Sequence, residues 1–508
     1  MDLQLTFKEV RSYNTIYNSS VEQAIDLEIA LPDYCPDVKK IYKCNIHPSI
    51  HNIDVNSGVA KIDGVAKICI IYQSGDKNEI REFETQTDFT KSVDLKCDNA
   101  KTVLKCKPSV AYVNCRAINE RKFDIHGAVA INMSCVCENH YDAICDVENN
   151  DIQLRKEPVK YSELVANQSK LIVLNEEIRL NDKTSSCLNI ICCKGIIQNE
   201  EYKAVANKIV YKASLFVKFT YLNEDGCYEN YKFELPINQI IEVPNLTENV
   251  DCKVHSKLCN IDLKPQTDRN GNCLSVLTNA KISVDVEAWK DCDIEIVNDL
   301  YSTECEISKE HIPLELMRAF DDMKFTESVK QVLDFVEDFG EIICVDYEEP
   351  KVKCENNDEN IIINVDLPIK IYYLNTSNEY CCIDKTMNFQ FERTLSNICN
   401  KLDFELCTTN VECTTNSDGC PEVRCEFEII VSPFFVKTFD VFSNISKDES
   451  KPINKELPAI VLYFAKSGES VWDIAMRYNT TINNIMSQNA LTNDILTSDK
   501  MLIIPGIA

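Results

Sequence analysis

Glycine is scarce in this chain, 11 residues in 508. Phosphate-cradling loops need glycine for close backbone approach, and neither GxGxxG nor GxxxxGK[ST] occurs. A doubly wound nucleotide-binding fold is therefore not expected. The GxSxG turn of serine hydrolases is missing as well. Histidine numbers only 6, and no HExxH pattern is present. The 27 cysteines never fall as CxxC. Close pairs such as Cys192/Cys193 and Cys381/Cys382 are adjacent, and adjacent side chains on a strand point to opposite faces. Metal and cofactor sites are accordingly not expected. The cysteines read as free thiols acting as small apolar strand residues, with oxidative cross-linking in a durable assembly as the rival reading. No apolar run approaches the roughly 18 residues of a spanning helix. The start, Met1-Asp2-Leu3-Gln4-Leu5-Thr6-Phe7-Lys8, has neither a basic nor an apolar region of a signal peptide, so a cytoplasmic protein is expected. Positive charge is also short. Lys and Arg total 53 against 81 Asp and Glu, a net charge of −28, which disfavours nucleic-acid partners.

β-Branched residues and tyrosine are abundant, which favours sheet. Three stretches repeat one pattern of β-formers closing on tyrosine before a polar turn. They run 58–72, 206–223 and 360–375 and close on Tyr72, Tyr221 and Tyr373, spaced by about 150 residues, a domain-sized period. Aromatic-rich strands follow each, around Phe83, Phe233 and Phe389. Later hairpins are expected across 116–122, across Asp268-Arg269-Asn270-Gly271-Asn272 and across Asn416-Ser417-Asp418-Gly419. Helical spacing predicts short helices near 31–41 and within 315–335. The predicted fold is mainly β: three tandem antiparallel β-sandwich or barrel-like domains (1–155, 156–308, 309–445), a polar linker at 446–458 and a small βααβ domain at 459–508.

The segment Leu31-Pro32-Asp33-Tyr34-Cys35-Pro36-Asp37, the strand ending at Tyr72 and the hairpin from Arg116 to Ile125 resemble the SPOCS domain of spore-coat proteins. The second and third blocks depart further and lack the PDxxPD-like segment. The resemblance is structural and carries no catalytic residue.

In the tail, Gly468 suits the exit from a strand. Ser470 suits an N-cap, with Asp473 as its capping-box partner. Val471, Ile474, Ala475 and Tyr478 form one apolar face. Thr481 suits the cap of a second helix with face Ile482, Ile485 and Met486. This order, with Trp472, Asn489, Leu491 and the final Leu502-Ile503-Ile504-Pro505, resembles a LysM domain. Glu469 stands for the usual aspartate, Val471 for leucine and Asp499 for a glycine. The resemblance implies a ligand groove between Ser467, Gly468, Glu469, Ser470 and Val471 on one side and Asn489, Ala490, Leu491, Thr492 and Asn493 on the other. Structural duties account for several of these equally well: Gly468 for the turn, Ser470 for the cap, Asn489 for the helix end. Trp472 is expected to stand half exposed, as an interface anchor. LysM grooves bind peptidoglycan or N-acetylglucosamine oligomers. The pairing with SPOCS-like blocks resembles a clostridial coat-morphogenesis family. That implies a non-enzymatic scaffold at the forespore surface, docking by its tail onto a coat morphogenetic ATPase, with glycan binding as the alternative.

Overall fold

In a computed structural model of the chain, strands succeed one another from Leu5 to Pro452, and the same path is laid down three times. The structure describes all residues except 1–2, 77–78, 96–101, 181–185, 248–249, 269–271, 335–337, 358–359, 396–397, 454–459 and 506–508. The first path comprises β1 (Leu5–Ala30), β2 (Val38–Asn56), β3 (Val59–Ser74), β4 (Ile80–Asp94), β5 (Thr102–Asn119) and β6 (Lys122–Val147). Its sheets are ordered β1-β6-β5 and β2-β3-β4. The second comprises β7 (Ile152–Arg179), β8 (Cys187–Val205), β9 (Lys208–Asn223), β10 (Tyr228–Glu242), β11 (Asp251–Gln266) and β12 (Ser275–Ser302). Its sheets, β7-β12-β11 and β8-β9-β10, repeat that order.

In the third path the first two strands are each broken. β13 (Cys305–Ala319) and β14 (Met323–Val332) share the first role, and β15 (Phe339–Tyr347) and β16 (Lys351–Asn357) the second. β17 (Asn360–Asn375), β18 (Tyr380–Thr394), β19 (Lys401–Thr415) and β20 (Pro421–Pro452) complete it. β13, β14 and β19 pair with β20, while β15, β16 and β18 pair with β17.

The register shows why the tyrosines recur. Tyr72, Tyr221 and Tyr373 stand opposite Ile41, Ile190 and Ile342 on the preceding strand of each path. The central strands alternate until near their C-terminal ends, where consecutive residues are buried on both faces. Ile62, Ile68 and Ile70 of β3, Leu215, Val217 and Phe219 of β9, and Ile363, Val365 and Leu367 of β17 are all buried. In each path the two sheets close on one another over such residues, as a sandwich does.

The strands outrun their sandwiches. β6, β12 and β20 hold 26, 28 and 32 residues, and their distal parts build a core common to all three blocks. Val10 and Ala143 of the first block, Tyr161, Ile294 and Ile296 of the second, and Leu314, Leu316 and Val441 of the third pack together there. A second shared core joins Ile71 and Ile80 to Ile191 and to Ile343 and Tyr372. Each such aliphatic side chain contributes roughly 1.5–3 kcal/mol on burial, so the blocks form one body. A buried charge sits beside that second core. Asp346 accepts from Lys43 at 2.7 Å and pairs with Lys194 at 2.8 Å, one lysine from each of the other blocks.

Three expectations need correction. Residues 31–37 form a loop, and β2 begins at Val38. The Arg121 guanidinium holds the loop by donating to the carbonyls of Leu31, Pro32 and Cys35 and to Asp37. The helical spacing within 315–335 belongs to strands: Met323, Phe325 and Val329 alternate with exposed residues while β14 pairs with β20. The supposed linker 446–458 is extended strand as far as Pro452, paired with β13, because the neighbouring strand edge satisfies its backbone; residues 454–459 lie outside the described residues. Asn270 and Gly271 lie outside them too, although β11 and β12 pair as a hairpin there. The hairpin expected across 116–122 forms with β5 continuing to Asn119 and β6 starting at Lys122, and the one at 416–419 forms as well. Gly419 adopts φ 79° and Asn416 Oδ1 accepts from Asp418 and Cys420. The described cysteines are free thiols, of which Cys227 and Cys407 are exposed.

Candidate functional site

The C-terminal unit runs β21 (Ile460–Ala465), α1 (Val471–Arg477), α2 (Ile482–Asn489) and β22 (Lys500–Pro505). β21 and β22 pair antiparallel, Ile460 opposite Pro505 and Ala465 opposite Lys500. Gly468 at φ 90° makes the turn out of β21. Ser470 caps α1, its Oγ accepting from Trp472 N at 3.1 Å. The carboxylate that completes this cap is Asp494 and not Asp473: Asp494 Oδ1 accepts from Trp472 N at 3.0 Å and from Ser470 Oγ. Thr481 caps α2 by accepting from Asn484 N at 3.1 Å, and Ala490 closes it in the left-handed conformation.

The two expected groove walls are each held by bonds inside the module. The first, Ser467 to Val471, is laced to the segment just beyond the second. Gly468 N donates to Leu496 O at 2.7 Å, Leu496 N to Glu469 O at 3.0 Å and Val471 N to Asp494 O at 2.7 Å. Ser467 N donates to Asp499 at 2.8 Å and Glu469 N to Lys466 O at 3.2 Å. The unusual residues thus have structural duties. Asp499 holds the first loop. Glu469 accepts from Tyr463 Oη and from Lys466 N. On the second wall Asn489 is a strut: it donates to Ile485 O and Ile503 O and accepts from Ile503 N at 2.7 Å. Leu491 N donates to Met486 O. Ser467, Gly468, Ala490, Thr492 and Asn493 remain exposed, Leu491 is half-buried and Val471 is buried.

Trp472 departs from expectation. It is 2% exposed. Its Nε1 donates to Asp299 Oδ2 at 2.8 Å, and its ring meets Tyr301 edge-on at 5.0 Å. Tyr301 Oη in turn donates to Thr480 O at 2.7 Å. The unit's core therefore includes a residue of β12. A large amphipathic ring with one N–H is well suited to such a seat. Asp299 and Tyr301 were not legible as site residues, since they lie about 170 residues upstream of the unit they hold.

A second feature escaped the sequence reading. Ile460, Leu462 and Phe464 alternate onto the outer face of β21, 61%, 56% and 76% exposed, and Met501, directly opposite Phe464, is 51% exposed. The helices cover one face of this ribbon and leave the other an apolar ladder. The signal was present: both faces of Ile460-Val461-Leu462-Tyr463-Phe464 are apolar, more than a ribbon covered on one side can bury.

A family model described as the SipL, SPOCS domain matches residues 37–118 and again 187–265, and a LysM domain model matches 463–505. The chain matches the SipL type of spore morphogenesis protein. Its two SPOCS matches cover corresponding parts of the first and second six-strand paths, from the second strand to the fifth. The third path repeats the same sheet order outside those spans. Both matched domain types of this SPOCS–LysM chain are non-catalytic. No curated protein and no solved structure matches it. No helix among its described residues is long and apolar enough to cross a membrane.

Proposed function

We propose that this SPOCS–LysM chain is a non-enzymatic scaffold of spore-coat assembly. It works in the mother-cell cytoplasm at the forespore surface and docks through its LysM module onto a coat morphogenetic ATPase. The observation that carries the docking part is the apolar ladder of Ile460, Leu462, Phe464 and Met501. Exposed contiguous apolar surface marks interaction sites. It lies on a module with three basic and four acidic side chains between 460 and 505, within a chain of net charge −28. The three fused sandwiches supply a rigid carrier, and the seat of Trp472 on Asp299 fixes the ladder's orientation.

A LysM domain also points to peptidoglycan. The exposed Ala490, Thr492 and Asn493 favour that second reading. Against it, the amides of Ser467, Gly468, Glu469 and Val471 are already engaged within the module. A pull-down from sporulating cells separates the two. Under the docking reading, full-length protein captures the ATPase, and Phe464→Glu loses it while keeping its thermal stability. Retention of the full chain on peptidoglycan, competed by N-acetylglucosamine oligomers and unaffected by Phe464→Glu, would establish the glycan reading instead.

A further inference from the structure

A cavity of about 350 Å³ lies where the outer face of the β2–β3–β4 sheet meets β8 and β11 of the second block. Cys69, Glu82 and Glu84 converge on its wall. The register brings them there: Cys69 stands opposite Glu84 across β3 and β4, and Glu82 lies two residues away on the same pleated face. The sulfur and a carboxylate oxygen from each glutamate lie within 4.8 Å of one another. One thiol and two carboxylates, with room for a further ligand, make a donor set for a borderline-soft divalent cation.

Glu82 supplies an independent observation. Its backbone is pinned to the second block, N donating to Asn189 Oδ1 at 3.0 Å and O accepting from Asn189 Nδ2 at 3.3 Å. Glu82 is half-buried and lines the cavity, and its carboxyl makes no hydrogen bond among the described residues. A polar group in that position is costly unless a partner arrives. Glu84 is placed to share. Lys67 at 2.7 Å and the Cys69 thiol at 3.5 Å both engage its Oε1. Lys67 also reaches Asp262 at 3.3 Å, so the ammonium stays anchored if Glu84 turns to a cation.

We propose that Cys69, Glu82 and Glu84 form a divalent-metal site, with Zn²⁺ the cation that fits the donors. Binding expels the thiol proton, leaving three anionic ligands against a double positive charge, and Lys67 offsets the remainder. The occupied site fastens β3 to β4 at the edge where Asn189 of the second block is held. This assignment is independent of what the LysM module binds.

The test is equilibrium dialysis of the reduced full-length protein against Zn²⁺ alone, followed by metal analysis. Glu82→Gln keeps the shape of the carboxyl and removes its charge, Cys69→Ser removes the sulfur, and Cys259→Ser removes a cavity thiol outside the trio. Wild type and Cys259→Ser should retain about one Zn²⁺ more per chain than the other two variants, and the apparent affinity should rise by about tenfold per pH unit for each proton released. Co²⁺ in place of Zn²⁺ should give a thiolate-to-metal absorption missing from Cys69→Ser. Equal zinc content in wild type and Glu82→Gln, or Co²⁺ absorption that persists in Cys69→Ser, overturns the site and leaves the trio an ion-pair network.

Discussion

Trp472 carries the clearest residue-level consequence. The tryptophan expected as an exposed anchor is the side chain that seats the LysM module on β12. Truncating a buried aromatic of this size costs about 3–5 kcal/mol. Trp472→Ala should therefore loosen the whole module, and hydrogen exchange should quicken throughout 460–505. Asp299→Ala is the sharper probe, since it removes the acceptor and leaves the module's own sequence intact. It should cost about 1–2 kcal/mol, for a partly exposed charged hydrogen bond, and speed exchange at the seat, around Trp472 and Thr480, more than in α2. Unchanged exchange in Asp299→Ala would show that the seat contributes nothing. Phe464→Glu belongs to the opposite class: the side chain is exposed, so melting should be unaffected and only partner capture should suffer.

At the scale of elements, the loop 31–37 shows how one side chain replaces a helix. Arg121 serves three carbonyls and a carboxylate from a single planar fork, a geometry that lysine lacks. Arg121→Lys should speed exchange at the amides of Leu31 and Val38, which bond to Arg121 O and Glu120 O, with little change elsewhere. Gly64 in β3 is constrained by space: a methyl there would press on the Phe89 ring and stand 2.6 Å from Ser49 O. Gly64→Ala should lower the melting temperature by forcing β2 and β4 apart. A stable Gly64→Ala protein would mean that the first sheet is looser than its packing implies.

Across the whole molecule, three sandwiches share a core and a buried charge triad. Asp346 has a depressed pKa because Lys194 and Lys43 more than offset the penalty of its burial. The sign follows from linkage. A carboxyl whose pKa is lower folded than unfolded stabilises above its unfolded pKa, and that stability is lost as pH falls through and below about 4. Asp346→Asn leaves two lysines without their shared anion, which should cost about 3–5 kcal/mol at neutral pH and flatten this part of the acid unfolding curve. Because each partner comes from a different block, the loss should appear as one cooperative transition at lower denaturant. Separate melting of a single block would contradict the shared core.

Much of this was legible in the sequence because it depends on short-range pattern. Alternation marked the central strands, the recurring tyrosine marked the repeat, and caps and turn residues ordered the β-α-α-β tail. The breaks in the third path, the extension of β20 to Pro452 and the loop at Arg121 were hidden, because their backbone partners lie on other strands. The same reason hid the seat of Trp472, the triad around Asp346 and the convergence of Cys69 on Glu82 and Glu84. Sequence by itself determined where the central strands would run, which of their faces would be apolar and the order of elements in the LysM module. Only tertiary structure decided which polar side chains would meet, since pairing across sheets and blocks is set by register and by the burial that the shared cores impose.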